Sequence, residues 1–255
     1  MSKANKFMEA YVVGERIATL SPEQFIALID GVCAGLEASD LPFHGGVYAA
    51  NVSLDEDGNV GLGEALADED NKYTAFQIEY IAPEVFWDNK RSEQADVYAV
   101  GMLMYAWSNG GCLPFLLPDA SPTDRAEALR RKMSGERFDL TPVSETLNCI
   151  IDKATAFKPE RRYATVAELR EAFALFREEA EAEGGAAALA ERMTVLKERQ
   201  LREAAMMANI LAAAEAAAST GNGVTMTPKK SNKRAKTTEP VKQEEKKKMK
   251  KLKLT

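Results

Sequence analysis

The sequence has 255 residues, of which 45% are hydrophobic, and its 33 Lys and Arg against 39 Asp and Glu give a formal net charge of −6 at pH 7. This composition can bury one core with an extension, whereas the longest apolar run, about 13 residues, is shorter than the roughly 20 that a transmembrane helix needs. The three cysteines have no CxxC spacing and the N-terminus has no apolar signal-peptide region, so we expect a reducing, cytoplasmic setting.

The beginning of the chain predicts a short strand followed by a helix. Residues 7–17 favour a strand that Gly14 interrupts. Ser21 is a good N-cap and Pro22 suits the first helical position, so a helix should begin here. One face of this helix recurs at helical spacing and should belong to the core: Phe25, Leu28, Ile29, Val32 and Leu36.

Turn residues and periodicity place most of the other elements. Residues 55–59 are rich in turn formers and precede a short predicted strand, Val60–Leu62. Further helices are predicted over 123–133, from residue 147, up to residue 183, and over 186–218 after a break at Gly184 and Gly185.

A central apolar helix is the strongest structural signal in the sequence. From Ala95 to Trp107 the only charged side chain is Asp96. No polar face recurs every three or four residues, so a helix here is apolar all round and should be buried. Ser92 is a suitable N-cap, and the Asn-Gly-Gly at 109–111 supplies a left-handed stop.

Three motifs, in this order and spacing, point to one protein family. Ala82-Pro83-Glu84, the stretch from Asp96 to Gly101, and Pro114-Phe115 resemble the C-terminal lobe of eukaryotic-like protein kinases. The resemblance spans roughly residues 7–176. It implies a mainly α fold, the kinase C-lobe, with short β-hairpins, in which the apolar helix is central.

The resemblance also locates the catalytic loop. His44 matches the loop histidine and Asn51 its metal-binding asparagine, but Gly45 and Gly46 stand where the family has arginine and then the catalytic aspartate. Tyr48 matches the loop lysine. Without a carboxylate at position 46, nothing there accepts the proton of the substrate hydroxyl, so we expect no catalytic residue and no effective phosphotransfer.

The magnesium-binding Asp-Phe-Gly of the family falls on Glu64-Ala65-Leu66. Glu64 keeps a carboxylate, which makes Glu64 and Asn51 the candidate ligands of a residual magnesium–ATP complex. Magnesium demands near-octahedral geometry, and Glu64 stands in an acidic stretch typical of solvated residues. We therefore expect no cofactor, with ATP and magnesium at Asn51 and Glu64 as the alternative.

Four residues match family positions that hold the lobe together. The resemblance implies that the ring of His44 packs in the core and hydrogen-bonds the backbone near the activation segment. It implies that Asp96 holds the backbone of the loop beginning at His44. It also implies a partly buried ion pair between Glu84, of the Ala-Pro-Glu motif, and Arg162, in the turn from Lys158 to Thr165.

The sequence divides into four predicted segments. Residues 1–20 are a hinge-like strand, 21–176 the kinase-like C-lobe, 177–220 Ala/Glu-rich helices and 221–255 a disordered, lysine-rich tail. Fewer than ten residues precede Phe7, so we expect this chain to lack the small N-terminal lobe of the family.

Two segments are candidate partner sites. Residues 186–218 carry Leu and Met near an a/d spacing, which suits either a coiled coil with a partner or a helix packed back on the lobe. Residues 228–255 carry 12 Lys and Arg against 3 Asp and Glu, which leaves 21 against 36 for residues 1–227. Such a tail suits an anionic partner, either nucleic acid, a membrane surface or an acidic protein, or a purely solubilising role.

Three functional hypotheses follow from these features. The preferred one is a truncated, kinase-like (pseudokinase) domain that scaffolds or regulates protein partners in signalling, without phosphotransfer. One alternative is a fragment of a serine/threonine protein kinase that binds ATP and phosphorylates protein when an N-lobe completes it. The other is a tail-driven adaptor to nucleic acid or to a membrane surface, whose binding would be salt-sensitive.

Overall fold

The structure is a computed structural model. It describes residues 11–12, 16–55, 57–66, 73–118 and 120–219. Most of the strand expected near the N-terminus, and the tail at 221–255, lie outside the described residues. The chain divides into two compact units, Met1–Asn209 and Ile210–Thr255. In the second unit, residues 210–219 are helical.

Helices account for most of the described residues, and a small sheet accompanies them. The strands are β1 (Tyr11–Val12), β2 (Val52–Leu54) and β3 (Val60–Leu62). The helices are α1 (Pro22–Glu37), α2 (Ala75–Tyr80), α3 (Pro83–Asp88), α4 (Glu93–Ser108), α5 (Pro122–Met133), α6 (Glu145–Ala154), α7 (Val166–Glu181) and α8 (Gly185–Ser219). Short 3-10 turns cover Ile17–Thr19, Ala49–Asn51 and Pro159–Arg161. The expected mainly α fold with a short β-hairpin is confirmed.

The sheet is antiparallel, with β2 between β1 and β3. Val52 is paired with Leu62 across the hairpin that joins β2 to β3. The carboxylate of Asp55 accepts hydrogen bonds from the backbone N–H groups of Asp57 and Asn59, which closes the turn. The predicted turn and strand are therefore confirmed, and β2 directly follows the candidate loop.

Helix α1 begins and packs as its sequence predicts. The hydroxyl of Ser21 accepts a hydrogen bond from Gln24 N at 3.2 Å, and the Gln24 side chain accepts one from Ser21 N at 3.0 Å, which forms a capping box. The predicted core face is buried throughout: Phe25, Leu28, Ile29, Val32 and Leu36. The Phe25 ring stacks on Trp107 with 4.1 Å between ring centroids, so α1 is fixed to α4.

Helix α4 is the centre of the core, as predicted. Every residue from Ala95 to Ser108 is buried. The indole N–H of Trp107 donates to the carbonyl of Leu20 at 3.0 Å, so the polar edge of this buried ring is satisfied. An all-apolar helix is stable here because the other helices of the lobe surround it.

Both ends of α4 lie at the predicted residues, but they are capped in different ways. Ser92 occupies the N-cap as predicted, although its side chain makes no capping hydrogen bond. The neighbouring Glu93 carboxylate accepts instead the backbone N–H of Val166 at 2.8 Å, which ties α4 to the start of α7. At the other end, Gly110 and Gly111 adopt φ values of 64° and 91°, the predicted left-handed stop.

Two features of the helical order differ from the prediction. Helix α2 was not among the predicted helices, and Thr74 and Gln77 form its capping box. The break before α8 covers residues 182–184, with Gly184 at a φ of 76°, whereas Gly185 belongs to the helix. None of the helices in the described ranges has the length and apolar character needed to cross a membrane.

The first part of α8 packs on the core of the first unit. Leu189 and Met193 are buried. The side-chain amide of Gln200 donates to the carbonyl of Asn109 at 3.0 Å. Of the two roles left open by the sequence, packing on the lobe therefore holds for this part of the helix.

Candidate functional site

A buried carboxylate fixes the start of the candidate loop. Asp96, in the first turn of α4, is only 3% exposed. Its Oδ2 accepts the backbone N–H of His44 at 2.7 Å, and its Oδ1 accepts that of Gly45 at 2.8 Å. Burial raises the pKa of Asp96 to about 6, although these two hydrogen bonds favour the charged form. The core helix therefore holds the loop, as the resemblance implies.

The imidazole of His44 is buried and acts within the loop. Its Nδ1 accepts the backbone N–H of Gly46 at 3.1 Å, which requires this nitrogen to be unprotonated. Burial lowers the pKa of His44, in agreement with a neutral ring. The resemblance implied a hydrogen bond from this ring to backbone near the activation segment, and the ring hydrogen bond that the structure shows is the one to Gly46 within the loop. The main-chain carbonyl of His44 accepts instead the N–H of Leu66 at 2.8 Å.

Gly46 stands where the family has its catalytic aspartate, and no side chain fits there. A Cβ on Gly46 would lie 2.4 Å from the carbonyl oxygen of Glu64 and 2.9 Å from Asn51 Nδ2. At distances below about 3 Å a neighbouring atom must shift, and here the nearest one, the Glu64 oxygen, belongs to the backbone. Gly45, which stands at the family's arginine, adopts a φ of 68°, a conformation that favours glycine. Both positions therefore suit glycine in this loop.

Asn51 joins the loop to the segment after β3. Its Nδ2 donates to the carbonyl of Gly46 at 2.8 Å and to that of Glu64 at 3.0 Å. Its own carbonyl accepts the N–H of Gly63 at 2.8 Å. A Cβ on Gly63 would lie 2.0 Å from Asn51 Oδ1, so this close approach depends on a glycine. Sequence inspection missed Gly63, whose single signal is a glycine at the end of a strand.

Glu64 takes part in the site through its backbone. Its carbonyl accepts the Asn51 amide at 3.0 Å, while its side chain is exposed. Within the described ranges, no group of three or more His, Cys, Asp or Glu side chains is placed so that it could hold a metal ion. The donors that the sequence singled out thus comprise one hydrogen-bonded amide and one exposed carboxylate.

The expected ion pair between Glu84 and Arg162 is present and bidentate. The two guanidinium nitrogens lie 2.7 Å and 2.8 Å from the two carboxylate oxygens. The side chain of Arg162 is 0% exposed and that of Glu84 is 9% exposed. The same guanidinium donates to three backbone carbonyls, those of Gln94, Ala156 and Phe157. This pair fastens α3 to the turn before α7.

A buried lysine that sequence analysis missed supports the end of α2. Lys132, in the last turn of α5, donates its Nζ hydrogens to the carbonyls of Ile78, Glu79 and Ile81. These carbonyls have no helical partner at the end of α2, so the ammonium group caps them. Burial lowers the pKa of Lys132 to about 7. Nothing in the sequence separates Lys132 from the exposed Arg130 nearby.

Comparison with known proteins agrees with this geometry. A family model described as protein tyrosine and serine/threonine kinase matches residues 8–173. The serine/threonine-protein kinase PknB of Mycolicibacterium smegmatis is 27% identical over 166 residues, which cover 59% of this chain and 26% of that protein. PknH of Mycobacterium bovis is 24% identical over 173 residues, covering 61% and 27%, respectively. The chain thus spans about a quarter of the length of the curated relatives that it matches.

Proposed function

We propose that this chain, which belongs to the protein tyrosine and serine/threonine kinase family, is a pseudokinase domain that scaffolds or regulates protein partners without phosphotransfer. The proposal depends on the glycine at position 46, where the family has its catalytic aspartate. The Cβ position of Gly46 lies 2.4 Å from the carbonyl oxygen of Glu64, so the loop has neither a carboxylate nor room for one. The proposal thus rests on steric exclusion as well as on residue identity.

Phosphotransfer to a hydroxyl needs a carboxylate that accepts the proton and orients the attacking oxygen. Asp96 contacts the loop, but both of its oxygens accept backbone N–H groups from inside the fold. The Glu64 side chain is exposed, and the Glu64 carbonyl closes the space beside Gly46. Neither carboxylate is placed to replace an aspartate at position 46.

The residues present do not fit a magnesium–nucleotide complex. Magnesium prefers several oxygen ligands in near-octahedral geometry. Asn51 Oδ1 lies against Gly63, the Glu64 side chain is exposed, and within the described ranges no group of three or more His, Cys, Asp or Glu side chains could hold a metal ion. We therefore propose that the domain functions without ATP or magnesium.

The second candidate is a serine/threonine protein kinase fragment that becomes active with an N-lobe. It is favoured by the names of the matched relatives and by the small share of their length that this chain spans. In that case the loop would have to transfer the phosphoryl group without a carboxylate at Gly46. Magnesium-dependent nucleotide binding separates the two candidates.

Other regions remain candidate partner sites under either function. In the part of α8 that belongs to the first unit, Leu201, Met206 and Met207 are more than half exposed. Exposed apolar side chains on a helix offer surface that a partner can cover. The coiled coil over 186–218 and the anionic partner for 228–255 stay predictions.

The test is thermal unfolding of the 255-residue chain with and without millimolar ATP and magnesium. A ligand at about 100 times its Kd adds about 2.7 kcal/mol to stability, which raises the midpoint visibly. We expect no magnesium-dependent rise. A rise that is lost in both Asn51→Ala and Glu64→Ala would contradict the proposal and support the enzyme fragment.

A further inference from the structure

A second concave surface lies away from the candidate loop. This groove has a volume of about 660 Å³ and is enclosed by the end of α5, residues 134–140, the end of α6 and residues 155–161. Its volume falls within the range of about 300–1,000 Å³ typical of ligand sites. None of its lining residues belongs to the loop from His44 to Asn51.

The groove combines an apolar strip with cations. Phe138, Leu140 and Phe157 contribute apolar surface, and Phe157 is 43% exposed. Lys153, Lys158 and Arg161 contribute positive charge, and all three are exposed. A ligand here would meet both kinds of surface at once.

The acidic residues of the groove are already neutralised. Glu136 forms an ion pair with Arg131, and Asp152 forms one with Arg137 at 3.2 Å. In the part of the chain that the structure describes, Lys158 and Arg161 form no ion pair. The groove therefore carries a surplus of positive charge.

This surplus contrasts with the rest of the chain before the tail. Residues 1–227 carry 21 Lys and Arg against 36 Asp and Glu. A positive groove on a strongly acidic body attracts short acidic ligands but leaves long polyanions repelled by the surrounding surface. The narrow apolar strip likewise suits an apolar side chain of a peptide better than the phosphate backbone of a nucleic acid.

We propose that this groove binds an acidic segment of a partner protein, with an apolar side chain of that segment against Phe157 and its carboxylates near Lys158 and Arg161. The inference rests on the interaction role proposed above, because it names the class of partner. Its test uses no nucleotide, so either proposal can fail while the other stands.

The test measures fluorescence anisotropy of the full chain with a short labelled peptide of Asp and Glu that carries one central Phe. We expect saturable binding that weakens with added salt and that falls about tenfold in the double variant Lys158→Glu, Arg161→Glu. The matched control, Lys90→Glu with Arg202→Glu, makes the same charge change at exposed positions outside the groove and should stay within twofold of wild type.

A second variant tests the apolar strip. Phe157→Ala leaves every charge in place and should weaken the peptide about threefold, with no effect on a peptide whose Phe is replaced by Ser. The proposal is overturned if wild type does not bind the peptide, or if both double variants weaken it equally. It is also overturned if a single-stranded oligonucleotide of equal charge competes as well as the peptide. Circular dichroism melts of each variant identify loss of folding.

Discussion

Two buried junctions of this lobe bring distant parts of the chain together by different means. At the first, Glu84 and Arg162 pair as ions, and the guanidinium also donates to three carbonyls. At the second, Gly46 and Asn51 meet the segment after β3 through backbone groups and one neutral amide. The charged pair is present at the junction that holds helices together. At the loop junction, glycine stands at the position where a kinase has its catalytic carboxylate.

The difference separates the requirements of the fold from those of catalysis. Removal of either partner of a buried ion pair strongly lowers stability, because the remaining charge is then buried without a partner. The loop junction contains no such charge of its own, and there close packing opposes the addition of a side chain. We therefore expect both junctions to stabilise the lobe, by electrostatics in one case and by steric fit in the other.

The largest expected effect is at the ion pair. Arg162→Met leaves Glu84 buried without its partner and removes the donor to three carbonyls, so unfolding free energy should fall by about 3–5 kcal/mol. Urea denaturation followed by circular dichroism measures it. Arg161→Met, one residue earlier and exposed, is the control and should change stability by less than about 0.5 kcal/mol. Similar losses in both variants would show that the pair has no special role.

A smaller effect is expected at the loop. Gly46→Ala places a methyl group 2.4 Å from the Glu64 carbonyl, and such overpacking should cost about 1–3 kcal/mol. Gly35→Ala, on α1, is the matched control, because its Cβ would meet Leu62 at an ordinary 3.7 Å. That change should be neutral or stabilise the helix by up to about 1 kcal/mol. Equal tolerance of both substitutions in denaturant unfolding would refute the steric account of the loop.

The smallest effect concerns pH and Lys132. The pKa of this lysine is lowered from 10.5 to about 7 in the folded chain, so the unfolded chain binds more protons between these values. Stability should therefore rise with pH across this window, and Lys132→Met should abolish that contribution. Between pH 7 and 9, the stability of wild type relative to the variant should increase by about 2 kcal/mol.

The pH comparison has its own internal control. Below about pH 6, Lys132 is charged in both the folded and unfolded chain, so the difference between wild type and Lys132→Met should stay constant. Urea unfolding at several pH values measures both regimes. A constant difference up to pH 9 would mean that Lys132 keeps its charge in the core.

Much of the fold could be predicted from sequence because its signals are local. Helix α1 has a capping pattern and an apolar face, and α4 is apolar along its length. The ion pair of Glu84 with Arg162 followed from the family resemblance and could not be derived from spacing, since 78 residues separate the partners.

The features that escaped prediction depend on contacts between distant segments. Lys132 lies on a largely exposed helix next to the buried Met133, and burial of its ammonium group depends on where α2 ends. The closeness of Gly63 to Asn51 depends on how β3 returns beside the loop. Helix α2 is an intermediate case, since its Thr74 and Gln77 capping pattern is visible in the sequence but only six helical residues follow it.

The packing around Gly46 bears on how this loop can change by mutation. A single base change converts a glycine codon into an aspartate codon, so the missing carboxylate is one genetic step away. The Cβ of that aspartate would collide with the Glu64 carbonyl, which accepts a hydrogen bond from the Asn51 amide. Oδ1 of Asn51 is in turn packed closely against Gly63. An aspartate at position 46 therefore also requires the Glu64 carbonyl or the Asn51 amide to move, so the carboxylate would return at a cost in stability.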